Sequence, residues 1–489
     1  MKIKNIIAVI CICGLLAGSA FALEETTSPE KNNKKAEKVA EKNRKKAEKA
    51  AKKNKNNAQQ TVEYTNDVHS IFTLDDCINI AIENNPDIRA SIFNEEAYKS
   101  QILQAWANYF PSISAGVDIS HNETKYSEIR NKQMPYLNTY TTMGYLPNVS
   151  ADMLIFDFGK TKATADMASN LYQASKEDTK ENINSIIYSI KSTYYNILFA
   201  QAQVRVYEDT VKDYELQLTQ AQSFYKLGKK AKLDVVTAEY NLGKAQLNLV
   251  KAKNVLEVVQ VLLSKIMGIP EYTNYELADS MMLNRYDITQ DDAIKTAMEV
   301  RPELNSAIKT TKAAKMKLRA ARREFAPDLG IFGSYGNGIG NDYNVSSTQF
   351  GAGLSYSNLN ILRTKKMVDQ ARAEYNKTQA LLESTKDTVY YNVKKAYIDL
   401  QTNKEAVVIA KLALDQAKEQ YRQVTGRYKA GVGDIIELKD GENTYLNARL
   451  DFYNALLNYN VTAASLEKEI GIPLKHSDES IITLSPEDI

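Results

Sequence analysis

The side chains that most often catalyse reactions or bind metals are few in this chain and stand far apart. The chain has three histidines without ligand spacing, namely His69, His121 and His476. Cys11 and Cys13 lie in the first apolar stretch, so Cys77 is the only other thiol and cannot form an internal disulfide. No Ser/His/Asp or Cys/His arrangement suits nucleophilic catalysis. We therefore predict no enzyme activity, no catalytic residue, no metal site and no cofactor.

A glycine-rich run is the next candidate, because such runs can bind phosphate groups. It consists of Gly336, Gly338 and Gly340. A nucleotide site would require a helix to begin at this point. An alternating, strand-like pattern follows instead, so we interpret the run as a flexible external loop.

Acidic side chains that follow two other glycines are the remaining candidates. Asp234 lies six residues after Gly228, and Glu437 lies six residues after Gly431. Asp440 follows one helical turn after Glu437. Each glycine separates two heptad-spaced stretches, so the chain can reverse there between two long helices. These carboxylates are either a charged site at the turns, residues 227–233 and 430–436, or ordinary solvated helix charges.

The elements that position these turns are predicted to be very long helices. Heptad spacing of apolar residues predicts a helix from about Thr161 to Leu227, roughly 100 Å at about 1.5 Å per residue. A helix of about 27 residues before Pro111 and a return helix of about 34 residues together nearly match it. We therefore expect the two shorter helices to stack end to end beside the long one.

The body of the chain is a tandem repeat, residues 71–287 and 288–475. The pattern from Thr73 to Pro86 returns 216 residues later, from Thr289 to Pro302. After the strands the offset becomes 203, so that Gly268-Ile269-Pro270 returns as Gly471-Ile472-Pro473. Residues 476–489 form a tail.

Each repeat also contains a strand hairpin, residues 112–157 and 328–360. Apolar and polar residues alternate in these segments, which predicts strands with one apolar face, joined by long polar loops at 121–142 and 337–348. Spanning strands must close into a barrel, and the smallest outer-membrane barrels have about eight strands. Four strands per chain therefore require oligomerisation. The alternative is a small soluble sheet packed on helices.

The N-terminus carries a predicted secretory signal, residues 1–22, with Lys2 and Lys4, an apolar run from Ile6 to Leu16 and a small-residue cleavage site. A basic Lys/Ala/Asn-rich arm, residues 23–70, follows. Residues 31–55 contain 12 Lys/Arg and 3 Glu, whereas the formal charge of the whole chain is only +2. The body is therefore acidic, which argues against nucleic acid as a partner. We expect a solvated arm, with attachment to peptidoglycan or lipid headgroups as its functional interpretation.

The repeated proline-ended helix, strand hairpin, long helix and Gly-Ile-Pro end resemble those of the TolC-like outer-membrane efflux proteins. The stretch from Arg427 to Gly431 and on to Leu438 and Asp440 is similar to the second turn motif of that family, and residues 155–160 are similar to its strand-to-helix junction. The resemblance covers about residues 70–475. The second junction, residues 357–361, lacks the usual proline and glycine.

The resemblance implies a mixed α and β membrane fold: a homotrimer with a 12-stranded β-barrel in outer-membrane lipid and a long periplasmic α-helical barrel. It implies a periplasmic adaptor protein and an inner-membrane transporter as partners in efflux or type I secretion. It places Asp234, Glu437 and Asp440 as a charge ring at the periplasmic entrance. Tyr428 matches a tyrosine that helps close this entrance, while the usual arginine is replaced by Gly433, with Lys230 in the first repeat.

Two functions follow from these observations. The first is a passive exit duct from the periplasm to the outside. The second is a periplasmic coiled-coil protein with a structural or adhesive function and no pore. The four amphipathic strands favour the duct, because a coiled coil alone does not need them.

Overall fold

The helices and strands follow one plan twice along the chain. The computed structural model describes residues 70–125, 139–269, 275–278, 284–286, 288–340, 344–356, 360–474 and 476–480. The first repeat contains β1 (Ser70–Phe72), α1 (Leu74–Asn84), α2 (Pro86–Trp106), β2 (Ser112–Lys125), β3 (Thr139–Phe156), α3 (Lys160–Lys226), α4 (Lys232–Met267) and β4 (Tyr275–Leu277). The second contains β5 (Asn284–Tyr286), α5 (Gln290–Val300), α6 (Pro302–Arg323), β6 (Asp328–Gly340), β7 (Asn344–Ser355), α7 (Ile361–Lys429), α8 (Ile435–Ile470) and β8 (His476–Ser480). The predicted signal, residues 23–69 of the predicted arm and the end of the tail lie outside the described residues.

Both repeats begin with the same helix cap. The Thr73 hydroxyl accepts a hydrogen bond from the Asp76 backbone N–H, and the Thr289 hydroxyl accepts one from the Asp292 N–H, each at 3.2 Å. A threonine followed three residues later by an acidic residue satisfies donors that would otherwise be unpaired at a helix start. The repeat seen in the sequence is therefore also a repeat of local structure.

Strands β2, β3, β6 and β7 form one antiparallel sheet in that order. The strands are longer than the alternation predicts, since the pairing of β2 with β3 extends to Lys125 opposite Thr139. Residues 337–340 and 344–348 also belong to strands β6 and β7. The predicted loops at 121–142 and 337–348 were therefore too long. A backbone ladder needs no alternation of side chains, so the pattern ended before the pairing did.

The glycine-rich run lies in β6, so its prediction as a loop was wrong. Gly336 pairs with Ser347, and Gly338 pairs with Val345. A Cβ atom on Gly338 would lie 3.2 Å from Leu146 Cδ2 on the neighbouring strand. Glycine permits this close approach within the sheet.

The first junction between strand and helix is built around Asp157, which is buried. Its carboxylate accepts hydrogen bonds from the Tyr109 hydroxyl at 2.6 Å and the Gly159 N–H at 2.9 Å. Its other oxygen accepts from the Thr161 N–H at 2.5 Å. These bonds direct the chain from β3 into α3. At the second junction residues 357–359 are not described, and the Asn360 side chain caps α7 by accepting from the Arg363 N–H at 3.0 Å.

The helices pack side by side in two tiers. The long helices α3 and α7 extend through both tiers, and the shorter helices each belong to one. Near the sheet the neighbours are α2, α3, α6 and α7, and further away they are α4, α3, α8 and α7, in that order. The two long helices have 67 and 69 residues, and α4 and α8 have 36 each. The helix α4 ends against the junction of α1 and α2, where a Cβ atom on Gly268 would lie 2.6 Å from the carbonyl oxygen of Asn84 and 3.1 Å from the nitrogen of Asn85, the N-cap of α2. The predicted end-to-end stacking is therefore confirmed in the first repeat.

The main core lies where the two tiers meet. Its largest fully buried side chains include those of Tyr194, Met267, Phe452 and Leu456. Two small sheets flank it, β1 with β4 and β5 with β8. In the described part of the chain no helix is both long enough and apolar enough to cross a membrane.

Candidate functional site at the helical turns

Two short turns connect the long helices, and each depends on one glycine. Gly228 has a φ of 65° and Gly431 a φ of 77°, in the left-handed region that favours glycine. The Lys229 N–H donates to the Phe224 carbonyl at 2.9 Å, and the Val432 N–H donates to the Arg427 carbonyl at 3.1 Å. These bonds complete the last helical turns and reverse the chain direction at each turn.

The second turn has a small apolar core around Tyr428. Its ring is 1% exposed and meets the Phe224 ring edge-on, with ring centroids 6.2 Å apart. Val424, Ile435 and Leu438 complete this core. Phe224 lies near the end of α3 and Tyr428 near the end of α7, so the helix ends beside the two turns pack against each other.

Lys230 links the same two turns by a polar contact. Its Nζ donates to the Gly433 carbonyl oxygen at 3.3 Å and lies 5.8 Å from the centroid of the Tyr428 ring. A Cβ atom on Gly433 would lie 2.8 Å from the Tyr428 backbone nitrogen. Gly433, where the resemblance implied an arginine, is thus closely packed, and Lys230 of the first repeat contacts it.

Two acidic residues act on Tyr428 from neighbouring helix starts. Burial raises the pKa of the Tyr428 hydroxyl, and the charges of Asp234 and Asp434 raise it further. The hydroxyl is buried and has no hydrogen-bond partner within the described residues. Tyr428 therefore stays neutral over the physiological pH range. Asp434 was not among the predicted site residues, although it directly follows Gly433 in the sequence.

The other two predicted acids have different surroundings. Glu437 forms an ion pair with Arg427, with 2.8 Å between Oε1 and Nη1. Asp440 is exposed, and its carboxylate forms no ion pair with any of the described residues. Arg427 belongs to the second turn motif, but its ion pair with Glu437 was not predicted from the sequence. Residues 226–234 and 427–440 together contain seven Lys/Arg and four Asp/Glu, so this end of the chain has a net positive charge despite its acidic residues.

The turns provide charge and apolar surface but no arrangement for bond-breaking chemistry. Within the described residues no group of three or more His, Cys, Asp or Glu side chains could hold a metal ion. What the geometry defines is a pair of helical hairpins whose ends pack together, connected through long helices to a sheet with alternating faces. This is the architecture of an outer-membrane channel protein.

Comparison with known proteins identifies the family. The model described as outer membrane efflux protein matches residues 77–269 and 293–471, one match in each repeat. The chain therefore belongs to the outer membrane efflux protein family, as its resemblance to TolC-like proteins predicted. It is a non-enzymatic outer-membrane efflux channel with a periplasmic helical extension.

Curated relatives and solved structures agree with this family. The chain is 22% identical to the probable efflux pump outer membrane protein TtgC of Pseudomonas putida over 408 residues, which cover 81% of this chain and 82% of the relative. It is 21% identical to the outer membrane protein TolC of Escherichia coli over 439 residues, covering 83% and 85%. Its fold is similar to that of the Campylobacter jejuni CmeC outer membrane channel, with a TM-score of 0.72, 17% identity and coverage of 83% and 87%.

Proposed function

We propose that three copies of this chain form one continuous duct, in which each copy contributes four strands to a 12-stranded barrel. The observation that carries this proposal is the open sheet with β2 and β7 at its edges. Apolar side chains such as Ile113, Val117 and Phe350 are exposed on its strands, and Phe350 is 87% exposed. An open edge with exposed apolar side chains is unstable in lipid unless a neighbouring copy pairs with it.

The helical layer supports the same assembly. Its edge helices in the tier near the turns are α4 and α7, and both carry exposed apolar side chains at helical spacing. Those of α4 are Leu233, Val236, Tyr240, Leu247, Val250, Val258 and Val261. Those of α7 in this tier are Ile398, Val408, Ile409 and Leu412. Packing α4 of one copy against α7 of the next would bury both sets and close a helical barrel.

The turns would form the periplasmic end of this duct. Leu227 at the first turn and Val432 and Ile436 at the second are strongly exposed. Neighbouring copies would bring the turns into a ring, and apolar side chains on such a ring suit an adaptor protein that binds end to end. The adaptor would connect the duct to an inner-membrane transporter, which supplies the energy that a passive duct lacks.

The acidic residues at the turns would act on permeating ions. In three copies Asp234, Glu437 and Asp440 would form rings of negative charge, which attract cations and oppose anions. Arg427 neutralises Glu437 in part, so Asp440 would carry most of the effect at the second turn. Lys230, Gly433 and Tyr428 would hold the two turns of each copy together and so favour the closed entrance.

The basic arm has a separate function in this proposal. Its 12 Lys/Arg at residues 31–55 would attach the assembly to peptidoglycan, whose acidic groups attract such a segment. The arm lies outside the described residues, so its sequence alone supports this part.

Conductance in planar bilayers tests the duct directly. Purified protein should produce discrete single-channel steps, and the open state should be cation-selective. A protein that trimerises but never conducts would favour the alternative of a coiled-coil protein without a pore.

A further inference from the structure

A buried acidic seam lies between the two helical hairpins of one protomer. The hairpin α3–α4 contacts the hairpin α7–α8 through α3 and α8. We define the acidic seam as Asp213, Tyr214 and Gln217 of α3, Tyr421 of α7 and Glu442 of α8. Since Asp213 precedes the end of α3 by 13 residues, the seam lies about 20 Å from the turns at about 1.5 Å per residue.

Glu442 is the most deeply buried member of the acidic seam. It is 4% exposed, and its Oε2 accepts a hydrogen bond from Gln217 Nε2 at 3.0 Å. Its Oε1 is buried and has no hydrogen-bond partner among the described residues. No ion pair compensates its charge in the described part of the chain. A carboxylate in this environment is strongly disfavoured relative to the neutral acid.

Asp213 faces the same space from the other hairpin. Its Oδ2 accepts a hydrogen bond from the Tyr421 hydroxyl at 3.4 Å. Burial raises the pKa of Asp213, and the charge of Asp209 adds to this effect, while Arg449 and Lys429 oppose it. Arg449 Nη2 is already bound to Asp209 Oδ2 at 3.1 Å. The nearest guanidinium is therefore shared with another carboxylate.

The two acids oppose each other's ionisation. Burial raises the pKa of Glu442 to about 7, and the charge of Asp213 raises it, while the hydrogen bond from Gln217 and the nearby Tyr214 hydroxyl lower it. Burial also raises the pKa of the Tyr214 hydroxyl, as does Glu442, so this phenol stays neutral. The remaining group, the Tyr421 hydroxyl, likewise has a pKa raised by burial and by Asp213. Glu442 is thus the group of the acidic seam that titrates near neutral pH.

The contact between α7 and α8 beside Glu442 is tight, and α8 packs more extensively on α7 than on α3. A Cβ atom on Gly441 would lie 2.6 Å from Val424 Cγ2 on α7. Close packing of this kind holds α7 and α8 together as one hairpin. Charge that accumulates in the acidic seam would therefore move the whole hairpin α7–α8 away from α3.

We propose that the acidic seam is a proton-controlled latch, in which neutral Glu442 holds the two hairpins together and ionised Glu442 separates them, so that the entrance of the duct opens. The latch rests on the proposed duct only for its consequence, the opening of an entrance. The separation of the hairpins is a property of one protomer and can be measured without transport.

The direction of the pH effect follows from the two states of Glu442. In the separated state its carboxyl is solvated and has an ordinary pKa of 4.5, whereas in the packed state its pKa is about 7. The packed state binds more protons between these values, so it loses stability as the pH rises from 4.5 to about 7. Because separation releases one proton per protomer, the ratio of separated to packed protomers rises by up to about tenfold per pH unit. Over the window from 4.5 to about 7 the ratio rises by roughly 300-fold.

Spin labels on the two turns test the latch. Lys229→Cys and Ala430→Cys place one label on each hairpin, and diluting labelled protomers with unlabelled ones isolates the distance within one protomer. Double electron–electron resonance at pH 5 and pH 7.5 should show a longer-distance population that grows with pH. Glu442→Gln should keep the short distance at both pH values, because the amide remains neutral and similar in shape. Cys77 is buried, and a sample without added cysteines measures its labelling.

Matched variants separate the latch from general effects of charge. Glu215→Gln removes an exposed carboxylate of α3 and should leave the pH response unchanged. Asp213→Asn should make the response smaller, because it removes a charge that raises the pKa of Glu442 in the packed state and so narrows the difference from the pKa in the separated state. A wild-type distance that does not change with pH, or an unchanged response in both Glu442→Gln and Asp213→Asn, would overturn the latch. Single-channel conductance at pH 7.5 tests the duct separately, since a conducting channel with a constant label distance loses only the latch.

Discussion

Asn85 and Arg301 occupy the same position in the two repeats, 216 residues apart, and each binds the end of the return helix of its own repeat. Asn85 Nδ2 donates to the Ile266 carbonyl at 2.7 Å. Arg301 Nη1 donates to the Glu469 carbonyl at 3.3 Å and forms an ion pair with the Glu469 carboxylate at 2.6 Å. The joint between the two tiers of helices is thus held by an amide in one repeat and by a buried ion pair in the other.

Replacing Arg301 should destabilise the protein more than replacing Asn85. Arg301 is 4% exposed, and Arg301→Met leaves the Glu469 carboxylate without its partner, which costs about 3–5 kcal/mol for a buried pair. Asn85→Ala removes a helix cap and one hydrogen bond to a carbonyl, which together cost about 1–3 kcal/mol. Thermal unfolding of the detergent-solubilised protein measures the difference. Arg322→Met, at an exposed position of α6, the helix that Arg301 precedes, is the control, and an equal melting temperature for Arg301→Met and Arg322→Met would contradict the prediction.

The sequence predicts the long elements well because their patterns are long. The heptads between Thr161 and Leu227 predict a helix that the structure places at Lys160–Lys226. Short strands give no comparable signal. Arg285 pairs with Ser477, far away in the sequence, in a strand of three residues that carries no readable alternation.

The geometry of the turns was predicted in part. Glycine and acid spacing indicate the turns and their charges, since these are local properties. The contact of Lys230 with Gly433 depends on the packing of one hairpin against the other, which no local pattern reveals. The burial of Glu442 is similarly hidden, because α8 contacts both α3 and α7 and heptad spacing does not distinguish the two faces.

The exposed apolar face of α4 should be required for assembly. Val250 is 65% exposed in the isolated chain. Val250→Asp would place a charge in the proposed contact between α4 and the neighbouring copy, where an unpaired buried charge is strongly unfavourable. Mass measurement in detergent should give three times the chain mass for the wild type and a smaller species for the variant. Lys251→Asp changes the adjacent exposed residue and should remain trimeric; a trimeric Val250→Asp variant would mean that this face is not buried by assembly.

Acidic residues at the second turn should control ion selectivity. Glu437→Ala with Asp440→Ala removes six carboxylates from a trimer and leaves Arg427 unpaired, so the entrance becomes less attractive to cations. Reversal potentials across a salt gradient should show reduced cation selectivity, with weaker block by multivalent cations. Folding should be retained, because exposed charges contribute little to stability. Glu405→Ala, on the exposed surface of α7, should leave selectivity unchanged, and an unchanged double mutant would show that these carboxylates face away from the pore.

Deletion of residues 31–55 should leave assembly and melting unchanged, because the segment has almost no apolar side chains to bury in a core. The deleted protein should bind isolated cell wall more weakly, and the difference should be largest at low salt. Screening acts over about 10 Å at 0.1 M salt, so attraction between solvated charges weakens as salt is added. Sedimentation with cell-wall fragments measures binding. Failure of the deleted protein to trimerise would show that the arm is part of the folded assembly.

Lys230 should favour the closed entrance, because it joins the two turns of one protomer. Lys230→Met keeps most of the side-chain volume but removes the hydrogen bond to the Gly433 carbonyl and the cation above the Tyr428 ring. Each contact stabilises by about 1 kcal/mol at a half-exposed site. We therefore expect the ratio of open to closed channels to rise by about fivefold or more for each protomer. Single-channel recordings at constant voltage and pH measure this ratio.

Two further variants distinguish this contact from a general effect of lost charge. Lys230→Arg keeps a cationic donor and should remain closer to the wild type than Lys230→Met. Lys229→Met removes a charge from the neighbouring exposed position and should leave the open ratio unchanged. Since Tyr428 is held by the apolar core of the turn as well as by Lys230, all three variants should trimerise and melt like the wild type. If Lys230→Met channels open no more often than Lys229→Met channels, then the contact with Gly433 does not restrain the entrance, and the packing of Phe224 on Tyr428 is left as the contact that joins the turns.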